Sequence, residues 1–300
     1  MNKVAILYYH RINELRADYN LTNVKPANFE DQMKGLLDNY DVVSIDDIYD
    51  GSAFKRDRNA VAITFDDGYK DVLNNAAPLL EAYGFKFTCL VTTKNIGIDK
   101  ENWTDVVTQV AFEPNFFNEK CELLVNGERQ EFKTDTIENR VLFYRSLQHI
   151  FKGATYEEWD DITNEICAWA GVSLLARDAY RVMDADDIKR IIKMGGVIGS
   201  HTVSHPFFSY LSNDEIKNEV FESKRTLEKI IGKEVYIFSY PFGDAPKRAR
   251  AILDDCGYKI TMTSNRGVTT HESDVMYLPR IGVRDCTRFD FEKMLENVFC

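Results

Sequence analysis

Two short polar stretches, each directly after an apolar run, contain the residues best suited to chemistry. Residues 61–65 are apolar or β-branched, and Asp66, Asp67 and Gly68 follow them. Two adjacent carboxylates at one buried position repel each other unless a cation lies between them or one of them is protonated. The pair therefore predicts a metal ion, a shifted pKa or both. The alternative is that one aspartate only caps the next helix, which is the more frequent role of an isolated Asp-Gly.

The second stretch covers residues 199–206, in which His201 and His205 are four positions apart. In a helical segment this spacing turns both imidazoles to one side, as two nitrogen ligands of one metal ion require. Two surface histidines would show the same spacing. Together with one aspartate, however, the histidines give three protein ligands and an open position for water, which is the composition of a hydrolytic metal centre.

Composition limits the partners and the compartment. The 300 residues, 44% of them hydrophobic, can form one large barrel-like domain or two smaller ones. A net charge of -11 argues against nucleic acid and anionic membranes, and no apolar stretch is long enough to form an integral membrane segment. The first apolar run breaks at His10 and has no small-residue cleavage site, so we predict a strand and not a secretion signal. With six scattered cysteines as reduced thiols, we expect a cytoplasmic protein.

Apolar runs alternate with helical patterns, which is typical of an α/β fold with a mostly parallel sheet. Strands are predicted at residues 4–9, 42–43, 61–65, 85–91, 197–199, 235–239, 259–263 and 278–283. Helices are predicted from Pro26 and Ser44, over 71–83 and 184–194, from a capping box of Ser212 and Glu215 to Gly232, and over 291–299. The carboxyl ends of parallel strands form the usual ligand site, which would bring the aspartates and histidines together.

The alternation stops between residues 97 and 181. Asn126-Gly127 is a strong hairpin signal between two β-type runs, and residues 139–151 and 156–169 have amphipathic helical patterns. We therefore predict that residues 1–96 and 182–300 form one barrel-like domain, interrupted by an inserted α+β subdomain at 97–181. Its tryptophans fit the core of this subdomain better than a sugar-stacking platform; they are Trp103, Trp159 and Trp169.

Three motifs resemble those of the polysaccharide deacetylases, the NodB-like carbohydrate esterase family four. They are Thr64-Phe-Asp-Asp-Gly68, His201-Thr-Val-Ser-His205-Pro206 and Tyr240-Pro-Phe-Gly243, in this order. Tyr9-His10 and Leu278-Pro-Arg-Ile281 are similar to a subgroup that acts on exopolysaccharide or surface-glycan precursors. The resemblance implies a distorted (β/α) barrel of about seven strands.

The resemblance also implies the roles of the residues. Asp67, His201 and His205 would hold one divalent metal ion, most often zinc, although cobalt, nickel and iron accept the same ligands. Asp66 would be the general base that acts on the water at the metal. The backbone N–H of Phe242 would stabilise the oxyanion, which needs no particular side chain. Apart from the resemblance, we interpret Phe207-Phe208, directly after the histidine motif, as a wall of the acetyl pocket.

The sequence departs from the family pattern at two places. The arginine that commonly precedes the Pro-aromatic-Gly turn is absent, and we expect Arg280 to make the same bidentate contact to Asp66. The late Leu-x-His motif, whose histidine usually protonates the departing amine, is also absent. His10, at the end of the first strand, is the first substitute, although it fits a packing role equally well, and His271 is the second.

The sequence thus predicts a metal-dependent hydrolase that removes an acetyl group from the nitrogen of a sugar or glycan. A carbohydrate-binding barrel that has lost catalysis is one alternative, prompted by the missing histidine, but a binder would not need Asp66. A deformylase or cyclic-amide hydrolase on the same barrel is another, because the site chemistry is shared.

Overall fold

The computed structural model describes residues 3–116, 118–125, 127–154 and 156–300, which divide into two units. Met1–Gly97 and Val182–Cys300 form the first, which we call the barrel unit. Ile98–Arg181 form the second, which we call the insert unit.

The strands and helices follow the chain in two series. The strands are β1 Val4–Tyr9, β2 Arg11–Ile12, β3 Asn23–Val24, β4 Asp41–Val43, β5 Ala60–Phe65, β6 Phe87–Val91, β7 Lys120–Val125, β8 Glu128–Lys133, β9 Gly196–Ser200, β10 Ile237–Ser239, β11 Ile260–Met262 and β12 Ile281–Gly282. The helices are α1 Pro26–Asn39, α2 Ile45–Tyr49, α3 Ala77–Ala82, α4 Trp103–Phe112, α5 Ile137–Gly153, α6 Tyr156–Ala170, α7 Ala185–Lys193, α8 Asn213–Ile231, α9 Lys247–Asp255 and α10 Arg288–Phe299.

A curled parallel sheet forms the centre of the barrel unit. Seven strands lie in the order β11-β10-β9-β6-β5-β1-β12, and β4 pairs with the first half of β5. The segment at 278–282 connects the two sides, because Leu278 bridges to Met262 of β11 while Ile281 pairs with Leu7 of β1. The predicted distorted (β/α) barrel is therefore confirmed.

Side chains on the two faces of this sheet have different surroundings, because successive residues of a strand point to opposite faces. The outer face packs on α1, α7, α8, α9 and α10 in one hydrophobic cluster. The inner face forms a second cluster with α2, and its strand residues include Val4, Ile6, Ala60, Ala62, Ile237 and Ile260. Nearer the carboxyl ends of the strands the same inner face becomes polar.

The helix starts largely follow the sequence signals. Capping boxes at Ser44, Asp184 and Ser212 begin α2, α7 and α8, and α8 ends at Gly232 with a φ of 69°. The predicted single helix at 71–83 is instead a π-helical segment, Val72–Ala76, followed by α3. Pro78 in the first turn of α3 has no N–H to donate, which accounts for the change of hydrogen-bond pattern there.

The insert unit contains the predicted hairpin and helices. β7 and β8 pair antiparallel, while Asn126 of the predicted turn lies outside the described residues. Trp103 stacks on Phe151 at 5.1 Å, and the Trp159 indole N–H donates to the Phe151 carbonyl at 3.0 Å. Both rings are buried, so they belong to the core of this unit as predicted.

Two further expectations concern membrane segments and thiols. None of the helices in the described ranges combines the length and the apolar character that a bilayer crossing requires. All six cysteines are described and free, and three of them are buried.

Candidate active site

The carboxyl ends of the parallel strands bring most of the predicted residues together. Asp66 directly follows β5, and its N–H donates to the Tyr9 carbonyl at 2.9 Å. His201 directly follows β9, and its N–H donates to the Val91 carbonyl at 3.0 Å. Each residue is thus fixed by one further step of strand pairing, which directs both side chains into the barrel.

Asp66 and Arg280 form a buried bidentate ion pair. Arg280 Nη1 lies 2.8 Å from Asp66 Oδ1, and Nη2 lies 2.7 Å from Oδ2. The guanidinium also donates to Thr64 Oγ1 at 3.2 Å and to Ser239 Oγ at 2.6 Å. The contact predicted from the sequence is therefore present, and polar groups of neighbouring strands satisfy the remaining donors.

This ion pair fixes the charge of Asp66. Burial raises the pKa of the carboxyl, but the opposing effect of the Arg280 guanidinium, helped by His201, is larger. The pKa of Asp66 is consequently held well below its ordinary value, and the group is a carboxylate at neutral pH.

Asp67, His201 and His205 form the cluster expected of a metal site. One potential ligand atom from each lies within 4.8 Å of the others. Asp67 Oδ1 is 3.5 Å from His201 Nε2 and 3.3 Å from His205 Nε2. It is buried and receives no hydrogen bond from the described residues.

The protonation of His201 explains why its Nε2 does not donate to this oxygen. Burial lowers the pKa of His201 to about 4 and that of His205 to about 3, so both rings are neutral at pH 7. His201 Nδ1 lies 2.7 Å from the Ser239 carbonyl, which can only accept, so Nδ1 carries the proton. The Nε2 lone pair of His201 then faces a carboxylate oxygen, an arrangement that a divalent cation between them makes favourable.

The loop that carries the histidines is not helical, so the geometry expected from their spacing is wrong. Thr202 and His205 have φ values of 69° and 63°, and Asp67 has a φ of 72°. Non-glycine residues in this left-handed region are uncommon and gather at functional sites. The turn of this loop, and not a helical face, directs the two imidazoles to one point.

Glu219 of α8 holds this loop, a role that no pattern in the sequence indicated. Its buried carboxylate accepts hydrogen bonds from the N–H groups of Val203 and Ser204, both at 2.9 Å, and from Ser204 Oγ at 2.6 Å. Thr202 Oγ1 accepts from the His205 N–H at 3.0 Å within the same turn. A buried acid on a distant helix thus supports the position of both histidines.

One aromatic wall borders the cluster. Phe242 has a φ of 56° in the turn after β10, and its ring stacks on Phe207 at 3.8 Å between ring centres. The Phe242 ring also meets His205 edge-on at 4.4 Å. Phe208, expected to share this wall, is instead buried in the outer core, where its ring centre lies 6.1 Å from that of Phe238.

The two candidate proton donors lie at opposite ends of the barrel. His10 lines a cavity together with Arg280, and its charge affects the pKa values of Asp66 and Asp67. His271 follows Thr269, which pairs with Val4 at the start of β1, and its exposed ring meets Phe54 at 6.1 Å. The structure therefore brings His10 to the site and does not bring His271 there.

Tyr8, and not Tyr9, accompanies His10 at the site. The Tyr9 hydroxyl donates to Gln32 Oε1 at 3.1 Å on the outer, helix-covered face. Tyr8 faces inwards, with the Arg280 guanidinium 4.7 Å from its ring centre. The alternation of β1, in which Val4, Ile6 and Tyr8 share a face, is the signal that could have identified it.

Comparisons with known proteins identify the family of this chain. Residues 54–116 and 159–261 match the polysaccharide deacetylase family. YxkH of Bacillus subtilis (strain 168), whose name assigns it to the polysaccharide deacetylases, is 22% identical over 284 residues, which are 94% of this chain and 71% of YxkH. A peptidoglycan-N-acetylglucosamine deacetylase of Bacillus cereus is 33% identical over 57 residues, 19% of this chain and 21% of that protein.

A solved structure shows the same fold. It is the Streptococcus pyogenes deacetylase PplD in complex with acetate, which is 20% identical with a TM-score of 0.63 over 99% of this chain and 98% of PplD. Because the family match spans more than half of the sequence, the chain belongs to the polysaccharide deacetylases, the NodB-like carbohydrate esterase family four.

Proposed function

We propose that this protein removes the N-acetyl group from an amino sugar of a surface-glycan or exopolysaccharide precursor, with a divalent metal ion as cofactor. One observation carries the proposal. The buried oxygen of Asp67, which receives no hydrogen bond from the described residues, converges with two neutral imidazoles beside a carboxylate that is kept ionised. Such a set of groups suits hydrolysis and serves no evident purpose in simple binding.

Asp67, His201 and His205 would hold the metal. One carboxylate and two imidazoles leave a coordination position open, and we propose zinc, with cobalt, nickel or iron as substitutes. When bound, the ion supplies Lewis-acid polarisation of the acyl carbonyl and lowers the pKa of water. The Ser239 carbonyl orients His201 for this task.

Asp66 is the proposed general base. As a water oxygen bonds to the carbonyl carbon, Asp66 accepts the proton of that water. Arg280 keeps the carboxylate ionised and fixes the direction of its oxygens. The backbone N–H of Phe242, in its constrained turn, is the proposed donor to the developing oxyanion.

His10 is the proposed proton donor for the second step. When the bond between carbon and nitrogen breaks, the amine needs a proton, and the products are acetate and the free amino sugar. His10 lines the cavity beside Asp66, and an imidazole can donate a proton to a departing amine.

The names of two relatives support the acetyl group and the sugar. One structural neighbour is a deacetylase with acetate bound, and one relative is a deacetylase of peptidoglycan N-acetylglucosamine. An N-acetylated hexosamine is therefore the substrate to test first. Formate released from the N-formyl counterpart, without acetate from the N-acetylated sugar, would instead indicate a deformylase.

The test combines metal analysis with product analysis. Purified protein should contain about one divalent ion per chain and release acetate from N-acetylglucosamine oligomers. Asp66→Asn should reduce turnover by about 10²–10⁴-fold while the metal content is unchanged. Asp57→Asn, the same change at an exposed position, is the matched control. Full turnover of Asp66→Asn would refute the proposed base.

His10 needs a separate test, because a packing role predicts a different result. His10→Gln should bind metal normally and lose turnover by about 10²-fold or more, with the basic limb of the pH profile removed. Unchanged turnover of a metal-loaded His10→Gln variant would exclude His10 from the mechanism.

A further inference from the structure

Beside Asp66, the barrel unit opens into a cavity of about 640 Å³ with an unusual set of charges. Its lining includes His10 and three arginines, Arg266, Arg280 and Arg284. No carboxylate belongs to the described residues that line it. This is unexpected in a chain whose 48 acidic residues outnumber its 37 lysines and arginines.

Arg280 is neutralised by Asp66, but the other two guanidiniums are not neutralised. Arg266 and Arg284 form no hydrogen bond or ion pair with any residue of the described ranges. Asp285, adjacent to Arg284 in sequence, instead accepts hydrogen bonds from the Lys25 N–H at 3.0 Å and from Asn28 Nδ2 at 2.7 Å. The cavity therefore keeps two positive charges for which no described residue provides a counter-charge.

The backbone next to both arginines is fixed by the barrel. The Arg280 N–H donates to the Asn265 carbonyl at 2.9 Å, directly before Arg266. The Val283 N–H donates to the Tyr8 carbonyl at 3.1 Å, directly before Arg284. Both side chains are exposed, so their guanidiniums can turn on this fixed backbone towards an anion that enters the cavity from solvent.

We propose that this cavity binds an oxyanion of the substrate, a phosphate or a carboxylate on the acylated sugar or on its immediate neighbour. Guanidinium groups match both oxyanions with planar, charge-assisted hydrogen bonds. A local cationic cavity also allows a protein with a net charge of -11 to accept such a substrate. The inference rests on the proposed function, since it names the class of sugar that the deacetylase selects.

Three substrates distinguish the sources of the charge: N-acetylglucosamine 1-phosphate, N-acetylmuramic acid and the uncharged methyl N-acetylglucosaminide. The wild type should show a kcat/KM at least about tenfold higher for one of the two anionic sugars. A preference for the first indicates a phosphorylated sugar, and a preference for the second indicates a sugar acid. The double variant Arg266→Ala/Arg284→Ala should lose the preference while its kcat/KM for the uncharged sugar stays within about twofold.

Two controls separate charge from a general effect of substitution. Arg266→Lys/Arg284→Lys keeps the charge but not the planar fork, and should retain part of the preference. Arg145→Ala removes an exposed arginine in the insert unit and should retain all of it. A wild type without a preference, or a preference that survives in the double alanine variant, overturns the inference, while acetate release from the uncharged sugar still supports the proposed function.

A binding measurement decides the question if none of the sugars is deacetylated. Calorimetric titration with inorganic phosphate, and separately with succinate, should give a Kd about tenfold weaker for the double alanine variant than for the wild type or Arg145→Ala for at least one anion. Equal affinities for both anions in all three proteins overturn the inference without reference to activity.

Discussion

The inner face of the barrel has two halves, and the same strands contribute apolar side chains to one half and polar side chains to the other. Towards the start of the strands, the inner residues are apolar and pack in one cluster. Towards the carboxyl ends, the inner residues of the same strands are polar; they include Thr64, Asp66, His201, Ser239 and Arg280. Both halves are buried, so burial alone does not distinguish a site from a core.

The difference lies in what each half requires of its neighbours. Apolar packing has no direction, so the first half needs only the correct volume. A buried polar group needs a partner with a fixed direction, and its loss exposes the full desolvation cost of the group that remains. Arg280 meets this condition with partners on several strands. Asp67 Oδ1 has no such partner among the described residues, which is why we propose a metal ion at this oxygen.

The largest effect should follow from leaving a charge without its partner in the polar half. Arg280→Leu leaves the Asp66 carboxylate buried and unpaired, and should lower the free energy of unfolding by about 3–5 kcal/mol. Ile237→Val in the apolar half should lower it by only about 0.5–1.5 kcal/mol. Urea unfolding at neutral pH measures both, and equal losses would contradict the distinction between the halves.

Arg280→Lys refines this result, because lysine keeps the charge and loses the bidentate geometry. The variant should be more stable than Arg280→Leu yet lose turnover, since the oxygens of Asp66 are no longer held in one orientation. Full turnover with Asp66 titrating as in the wild type would show that the two-point contact is unnecessary.

Structural features that depend on neighbouring residues could be predicted from the sequence. Features that depend on contacts between distant residues could not. The strand before Asp66 and the capping box of α8 depend on neighbouring residues, so period and residue type were sufficient. The left-handed backbone of Thr202 cannot be read from threonine, which normally avoids that region. Glu219 supports its loop from 15 and 16 residues away, across a helix boundary, and the sequence gives no sign of that contact.

The next effect concerns this support of the histidine loop. Glu219→Ala leaves the N–H groups of Val203 and Ser204 without their acceptor, so the histidines should lose their common direction. We expect the affinity for zinc, measured by competition with a chelator, to fall by about 10–100-fold. Glu222→Ala on the same helix, where the partly exposed carboxylate pairs with Arg225, is the control and should bind zinc normally. An unchanged affinity in Glu219→Ala would remove Glu219 from this role.

A smaller effect should appear in the pH dependence of the metal-free protein. Burial lowers the pKa of His201 to about 4, so the unfolded chain binds a proton below its ordinary pKa of about 6.5 while the folded chain does not. Stability from this group is complete above about pH 6.5 and is lost as the pH falls towards 4, on the order of 2 kcal/mol at about pH 5.

Asp67, whose pKa burial raises, acts in the opposite direction, so the contribution of His201 must be isolated. The wild type and His201→Gln should be compared by urea unfolding after chelation, at about pH 7.5 and about pH 5. The loss of stability on acidification should be smaller in His201→Gln. Equal losses in the two proteins would show that His201 is not held neutral by burial.

The smallest effect separates the two tyrosines of β1, which differ by one position and lie on opposite faces. Tyr9→Phe removes a hydrogen bond to Gln32 on the outer face, and should cost about 1 kcal/mol of stability without changing kcat/KM. Tyr8→Phe removes a hydroxyl that lines the cavity, and should change KM for the substrate while stability stays within about 0.5 kcal/mol. A loss of turnover in Tyr9→Phe, with none in Tyr8→Phe, would mean that Tyr9 serves the site through the strand despite facing the helices.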